Sequence, residues 1–398
     1  MTTDPTNAGK TSSRTGLVIL LGSLAALGPF AIDTYLPAFP EIAREFGTDV
    51  GHIGLSLSSY FLGICLGQLF YGPILDRYGR RAPLLWGLGV FTAASLLCAW
   101  APSTEALIAL RFVQALGGCA GMVAGRALVR DLFPDDAADV FSSLMLVMGV
   151  APIIAPGVGG WLTAVWGWPS IFYFLAIVSL LVTFAIAMRL PTVHVRNEDQ
   201  TLHPVQVARG YLGIFRERTF LAWGLSGSFV SGGLFAYIAG SPAVYMDLFG
   251  MSKATFSWFF AINAMGLIGA SQVNRVLLKR HTSERISTVV LVCQCIASLG
   301  LVASAWFHFA PGVYVLVWLF LFGQGFAFPN TSALAMRPFG INAGSASALL
   351  GSLQMASGAL LSGLVSMLPG GSALPMALGM ALSAIGALLL LRIFAPRS

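Results

Sequence analysis

Charge is scarce in this chain: only 10% of its 398 residues are Asp, Glu, Lys or Arg, while 57% are hydrophobic. The mean hydropathy is +0.81. A water-soluble fold could not hide so much apolar surface, which excludes an ordinary soluble enzyme or binding domain. The cysteines, Cys65, Cys98, Cys119, Cys293 and Cys295, all lie in apolar stretches, so neither a disulfide framework nor a thiolate metal site is indicated. Of His52, His194, His203, His281 and His308, no two stand at metal-ligand spacing on one element. The chain lacks a Gly-x-x-x-x-Gly-Lys-Ser/Thr loop, which argues against direct use of ATP. Its formal charge is +6, yet no basic patch with interleaved aromatics stands out, so no nucleic-acid partner is expected.

What is present is a series of apolar runs, each close to the length that crosses a bilayer. They cover residues 17–37, 52–74, 82–101, 104–126, 139–162, 169–190, 219–241, 254–274, 286–307, 311–334, 343–368 and 373–394. Lys and Arg fall almost entirely in alternate gaps. Lys10 and Arg14, Arg77, Arg80 and Arg81, Arg126 and Arg130, the stretch from Arg189 to Arg218, the stretch from Arg275 to Arg285, Arg337, and Arg392 and Arg397 share one side. Only Arg44 and Lys253 fall on the other. The positive-inside rule makes both termini cytoplasmic, and the basic balance needs no polyanionic partner. The longest polar interruption divides the chain into a tail (1–16), a six-helix bundle (17–190), a cytoplasmic linker (191–217) and a second six-helix bundle (218–398). Within the linker, Val207, Tyr211, Ile214 and Phe215 at helical spacing predict an amphipathic helix on the inner leaflet. Gln68 and Gln272 occupy matching places before basic turns in the second and eighth spans, a faint internal repeat.

Four stretches make the reading specific: Gly72-Pro73-Ile74-Leu75-Asp76-Arg77-Tyr78-Gly79-Arg80-Arg81, the Asp33 to Pro40 run DTYLPAFP, the Arg111 to Gly118 run RFVQALGG, and the Gly149 to Gly160 run GVAPIIAPGVGG. The first resembles the signature loop between helices two and three of the major facilitator superfamily. Together they resemble its Bcr/CflA group of bacterial drug exporters, which includes bicyclomycin and chloramphenicol/florfenicol resistance proteins. The resemblance spans the chain, with its sharp motifs in the N-terminal half. It implies an all-α integral membrane fold of twelve transmembrane helices in two pseudo-symmetric six-helix bundles.

Each motif also has its own physical chemistry. Gly72 and Gly79 would permit close helix approach and a tight reversal, and Asp76 beside Arg77, Arg80 and Arg81 could latch charge against the opposite half. Topology alone would account for the arginines but not for Asp76. Gly149, Pro152, Pro156, Gly157, Gly159 and Gly160 crowd one span, which should bend and pack tightly. Within the superfamily this pattern resembles the antiporter motif of proton-coupled exporters, against the plainer reading of a structural kink.

Asp33 and Arg111 are the only strongly charged residues well inside predicted spans. Such charges are costly and mark function by default. Both should sit roughly 6 to 10 Å below the outer boundary. Burial favours the neutral acid and a near guanidinium the carboxylate, so Asp33 is the candidate proton carrier and Arg111 its sensor. The rival reading is a static ion pair. Candidate donors and acceptors around a substrate cavity are Tyr35, Tyr60, Gln114, Tyr237, Asn263, Gln324 and Asn330, with Phe112 and Phe235 as walls.

The expectation is therefore a multi-pass, monomeric antiporter of the bacterial inner membrane. It would use the proton gradient with no cofactor or metal and export small amphipathic compounds by alternating access. A carrier of one metabolite, such as a nucleoside or sugar, is the alternative in the same fold. An intramembrane enzyme would need a convergent catalytic cluster, which the sequence lacks, and a passive channel fits the two-bundle plan less well.

Overall fold

A computed structural model describes residues 14–133, 136–190, 204–339 and 343–394. Most of the expected tail and half of the linker, with His194 and Arg196, lie outside the described residues, as does Asp135. Bare backbone cannot face hydrocarbon unpaired, which favours helices throughout. The described elements are α1 (Arg14–Asp33), α2 (Phe39–Phe46), α3 (Val50–Tyr78), α4 (Arg81–Ala99), α5 (Thr104–Leu132), α6 (Ala137–Trp166) and α7 (Pro169–Arg189), then α8 (Pro204–Phe215), α9 (Arg218–Pro242), α10 (Lys253–Leu277), α11 (Ser283–Trp306), α12 (Ala310–Met336), α13 (Ala343–Met367) and α14 (Leu374–Phe394). They make 12 transmembrane segments: α2 continues the first, and α8 lies between the sixth and seventh. The side where α1 begins and α14 ends is the terminal face, and the other is the far face.

Polar residues start the helices. Asp49 accepts from the His52 amide at 2.7 Å, and Ser103, Ser252 and Thr282 cap α5, α10 and α11 in the same way. Large apolar side chains such as Trp86, Phe184, Ile296 and Leu180 point outward, where lipid replaces a protein core.

Six long helices pack on either side of a common seam, α1 with α3 to α7 and α9 with α10 to α14. The contacts repeat between halves. α3 packs on α5 as α10 does on α12, α4 on α7 as α11 does on α14, and the seam pairs α3 with α13 and α6 with α10. That exchange is what a pseudo-twofold axis requires. The Gln68 and Gln272 repeat does not follow it in detail, since Gln68 is buried on the seam and Gln272 is exposed.

Two elements differ from the sequence reading. The first apolar run does not remain one helix to residue 37: α1 stops at Asp33, a 3-10 turn follows at Leu36–Ala38, and α2 then runs to Phe46. Pro37 has no N–H to give the Asp33 carbonyl, and Pro40 none for Leu36, so the ladder breaks there. α8 forms, but its apolar face docks on protein. The Tyr211 hydroxyl donates to the Leu69 carbonyl at 3.1 Å, and Ile214 is buried in the cluster around Phe220 and Trp223. The side chain of Val207 lies outside the described residues.

Candidate functional site

Asp33 occupies the last position of α1, immediately before the break, with 4% of its surface exposed. Among the described residues it has no ion-pair or hydrogen-bond partner. It lines a cavity of about 170 Å³ between the halves, with Met148 and Pro152 from α6, Tyr237 from α9 and Asn263 from α10. The Asn263 amide donates to the Tyr237 hydroxyl at 2.9 Å, and Tyr237 stacks on Phe260. Asn263 Oδ1 is buried without a donor. Pro152 and Pro156 have no N–H, so the Met148 and Pro152 carbonyls lack their helical donors. A carboxyl group and a buried acceptor without a donor, Asn263 Oδ1, thus share one small chamber.

Arg111 is fully buried and does not reach Asp33 as an ion pair. One terminal nitrogen donates to Gln114 and the other to the Ala31 carbonyl at 2.9 Å. The guanidinium lies over the rings of Tyr60 at 4.2 Å, Tyr35 at 4.9 Å and Phe172 at 5.9 Å. Gln114 passes the chain of bonds to Ser95 at 2.7 Å. Arg111 therefore grips the backbone of α1 two residues before Asp33, and cation–π contacts replace the missing anion.

The remaining sequence candidates fall into separate groups. Tyr35, bonded to Ser56, and Tyr60 belong to the Arg111 cage, and Phe112, one residue along α5, is half-buried. Phe235 meets Phe61 across the seam with ring centroids 4.3 Å apart. Gln324 donates to the Val230 carbonyl, and Asn330 pairs reciprocally with Asn274. Tyr237 and Asn263 alone of that set line the Asp33 chamber.

In the 72–81 loop the bonds that Arg80 makes stay within the first half. Asp76 and Asp131 both receive hydrogen bonds from Arg80, and Arg81 donates to the Ala187 carbonyl, all within the first half. Arg80 immediately precedes α4, and the acids it bonds, Asp76 and Asp131, lie at the ends of α3 and α5 in its own bundle. Burial works against its charge, but the bonds to Asp76 and Asp131 outweigh it and raise its pKa above the ordinary guanidinium value. Gly79, with φ +82°, makes the expected reversal. Gly72 has open space where a Cβ would stand and makes no close approach. Arg77 lies over the Tyr78 ring.

A charged tie between the halves lies on the far face. Lys253 of α10 bonds Glu41 of α2 at 2.6 Å, and the other Glu41 oxygen accepts from the Trp168 amide. The α6 motif supports this closure. A Cβ on Gly159 would overlap the Thr34 carbonyl, Gly160 lies beside Ser257 and Lys253, and Ser257 donates to the Pro156 carbonyl across the seam. Gly149 faces Ile268 of α10. Gly157 meets no such neighbour.

Towards the terminal face the halves part around a cavity of about 410 Å³. Sequence reasoning missed it. Its walls include Met122, Met145 and Met355, with Arg126, Gln68 and Gln354 as polar groups. Met148 also borders the Asp33 chamber, so the two spaces adjoin. Met145 and Met148 at helical spacing were a legible signal, though equally compatible with lipid contact.

Residues 21–363 match the model of the Major Facilitator Superfamily. The "Uncharacterized MFS-type transporter YdgK" of Bacillus subtilis (strain 168) is 36% identical over 88% of this chain and 89% of its own. The "Bicyclomycin resistance protein homolog" of Haemophilus influenzae (strain ATCC 51907 / DSM 11121 / KW20 / Rd) is 31% identical over 90% and 91%. Among solved structures, a bacterial homolog of the human lysosomal transporter Spinster, described as inward-facing and unoccupied, superposes with a TM-score of 0.74 at 14% identity, covering 97% of this chain and 96% of that one.

Proposed function

The chain belongs to the major facilitator superfamily, and on that premise we propose that it exports small amphipathic compounds from the bacterial cytoplasm in exchange for protons. The observation that carries this reading is Asp33, a buried acid without a partner among the described residues, facing a chamber between the two halves. A transporter needs a group whose protonation depends on which side is open, and a permanently paired acid would serve poorly.

In this reading the terminal face is cytoplasmic, in keeping with the Lys and Arg bias, and the protein lies in the inner membrane as a monomer. The proton gradient drives it, with no cofactor. With the far face closed, a substrate enters the methionine-lined cavity, and its arrival beyond Met148 favours release of the Asp33 proton to the cytoplasm. Met148 and Pro152 carbonyls and Asn263 Oδ1 supply acceptors for the protonated acid. Arg111 senses the change through its bond to Ala31, since a shift at the α1 break moves the carbonyl it holds. The Glu41–Lys253 pair and the Gly159 contact hold the far face shut until the halves rock. The apolar cavity and the relative described as a bicyclomycin resistance homolog favour drug-like cargo over a sugar or nucleoside.

The test uses everted vesicles with an acid interior. Chloramphenicol, florfenicol or bicyclomycin should dissipate the pH gradient through the native protein and not through Asp33→Asn of equal abundance. Equal responses from the two proteins would remove Asp33 from the coupling.

A further inference from the structure

Two arginines border the terminal-face cavity with no acid paired to them among the described residues. Arg126 lines the 410 Å³ space and a continuation of about 280 Å³, and Arg130, one turn along α5, lines that continuation. The neighbouring carboxylates are engaged elsewhere: Asp76 and Asp131 with Arg80, and Asp136 with Arg14. Asp139 of α6 is exposed, and no ion pair joins it to either arginine among the described residues. Arg126 commits its Nε to the Met122 carbonyl at 3.3 Å. No bond is made by its terminal nitrogens among the described residues.

A second, independent observation lies deeper in the same space. Gln68, 2% exposed, lines the cavity with a buried Oε1 that has no donor. An orphaned acceptor of this kind wants a hydroxyl or an amide N–H. Between the two ends the walls are apolar and methionine-rich, a surface that adapts to varied ligand shapes. Both arginines are exposed, so they stand at the open end of this space, where cargo from the terminal side meets them first.

We propose that this cavity selects amphipaths carrying an acidic group, held at the mouth by Arg126 and Arg130, and a hydroxyl or amide N–H that meets Gln68, and that it turns away organic cations. This deepens the exporter reading, on which it rests, by naming the charge class of its cargo.

The test is equilibrium binding of three probes with one ring system, 1-naphthylacetate, 1-naphthylacetamide and 1-(1-naphthyl)ethylammonium, to the full chain in phosphatidylcholine nanodiscs. The native protein should bind the acetate at least about tenfold tighter than the ammonium. Arg126→Gln with Arg130→Gln should bring the two within about twofold while leaving the acetamide unchanged, and Arg126→Lys should keep the preference. Gln68→Leu should weaken the acetamide, which has an N–H to offer, and spare the acetate. Thermal unfolding of each variant in the same nanodiscs checks the fold. Equal or tighter binding of the ammonium, or a preference that survives the double substitution, overturns the proposal. So does loss of acetate binding when phosphatidylglycerol is added, since the arginines would then hold lipid headgroups. Charge selection should persist in Asp33→Asn, whose proton exchange fails. If selection fails while the native protein still exchanges protons for drug, this inference alone falls; if Asp33→Asn exchanges like the native protein, the exporter reading falls instead.

Discussion

At the scale of single residues, the two buried charges have unlike environments. Arg111 is held by a carbonyl, an amide and three aromatic faces, with its Nε left without an acceptor among the described residues, so it is anchored in the bundle. Arg111→Ala should lower stability by roughly 3 kcal/mol, through a void and orphaned partners, as seen in the unfolding temperature of the purified protein. Arg111→Lys keeps the charge but cannot hold Gln114 and Ala31 together, and transport should fall by at least about tenfold. Asp33 is the opposite case. Asp33→Asn replaces an acid that has no partner among the described residues by a neutral side chain of the same shape, so the protein should fold at least as well as the native chain while losing proton exchange; a marked fall in unfolding temperature would show that the acid is structural. The sequence made both residues conspicuous because charge inside an apolar run is rare. It could not show that they avoid each other, because the rotation of α1 relative to α5 depends on packing that no single helix encodes.

The elements show which motif positions are structural. Gly159 and Gly157 belong to one Gly and Pro run, yet a Cβ at 159 would collide with the Thr34 carbonyl and one at 157 meets nothing. Gly159→Val should abolish accumulation of folded protein, whereas Gly157→Ala should leave its yield and transport near native, as fluorescence-detected size exclusion and vesicle assays would report. Gly79→Ala forces a side chain into a backbone conformation it avoids and should cost roughly 2 kcal/mol. The spans themselves were legible because hydrocarbon imposes both length and composition. The break after Asp33 was also written in the chain, in Pro37 and Pro40, but the apolar residues around them masked it. The docking of α8 was not legible, since Tyr211 and Ile214 at helical spacing suit a protein groove as well as a leaflet.

For the whole molecule, the twelve apolar runs and the long polar interruption between the sixth and seventh carried the two-bundle plan, but not which face is shut. Closure rests on contacts far apart in sequence, Glu41 with Lys253 and Ser58 with Ser362, whose hydroxyls are 2.8 Å apart. Ser58→Cys with Ser362→Cys should form a disulfide that stops transport until it is reduced, with neither single variant doing so. Lys253→Met should weaken the far-face seal and raise labelling of nearby engineered cysteines from that side. Along the same line, the α3 and α13 seam brings Gly54 against Ser366 and Gly351 against Gln68, with a glycine on one side of each contact. A hinge so smooth offers little resistance of its own, which leaves the few charged and proton-bearing groups to decide where the swing rests. Engine and cargo hold are then separable parts, and descendants of this chain could change what they carry by exchanging methionines in the hold while the machinery that turns it stays as it is.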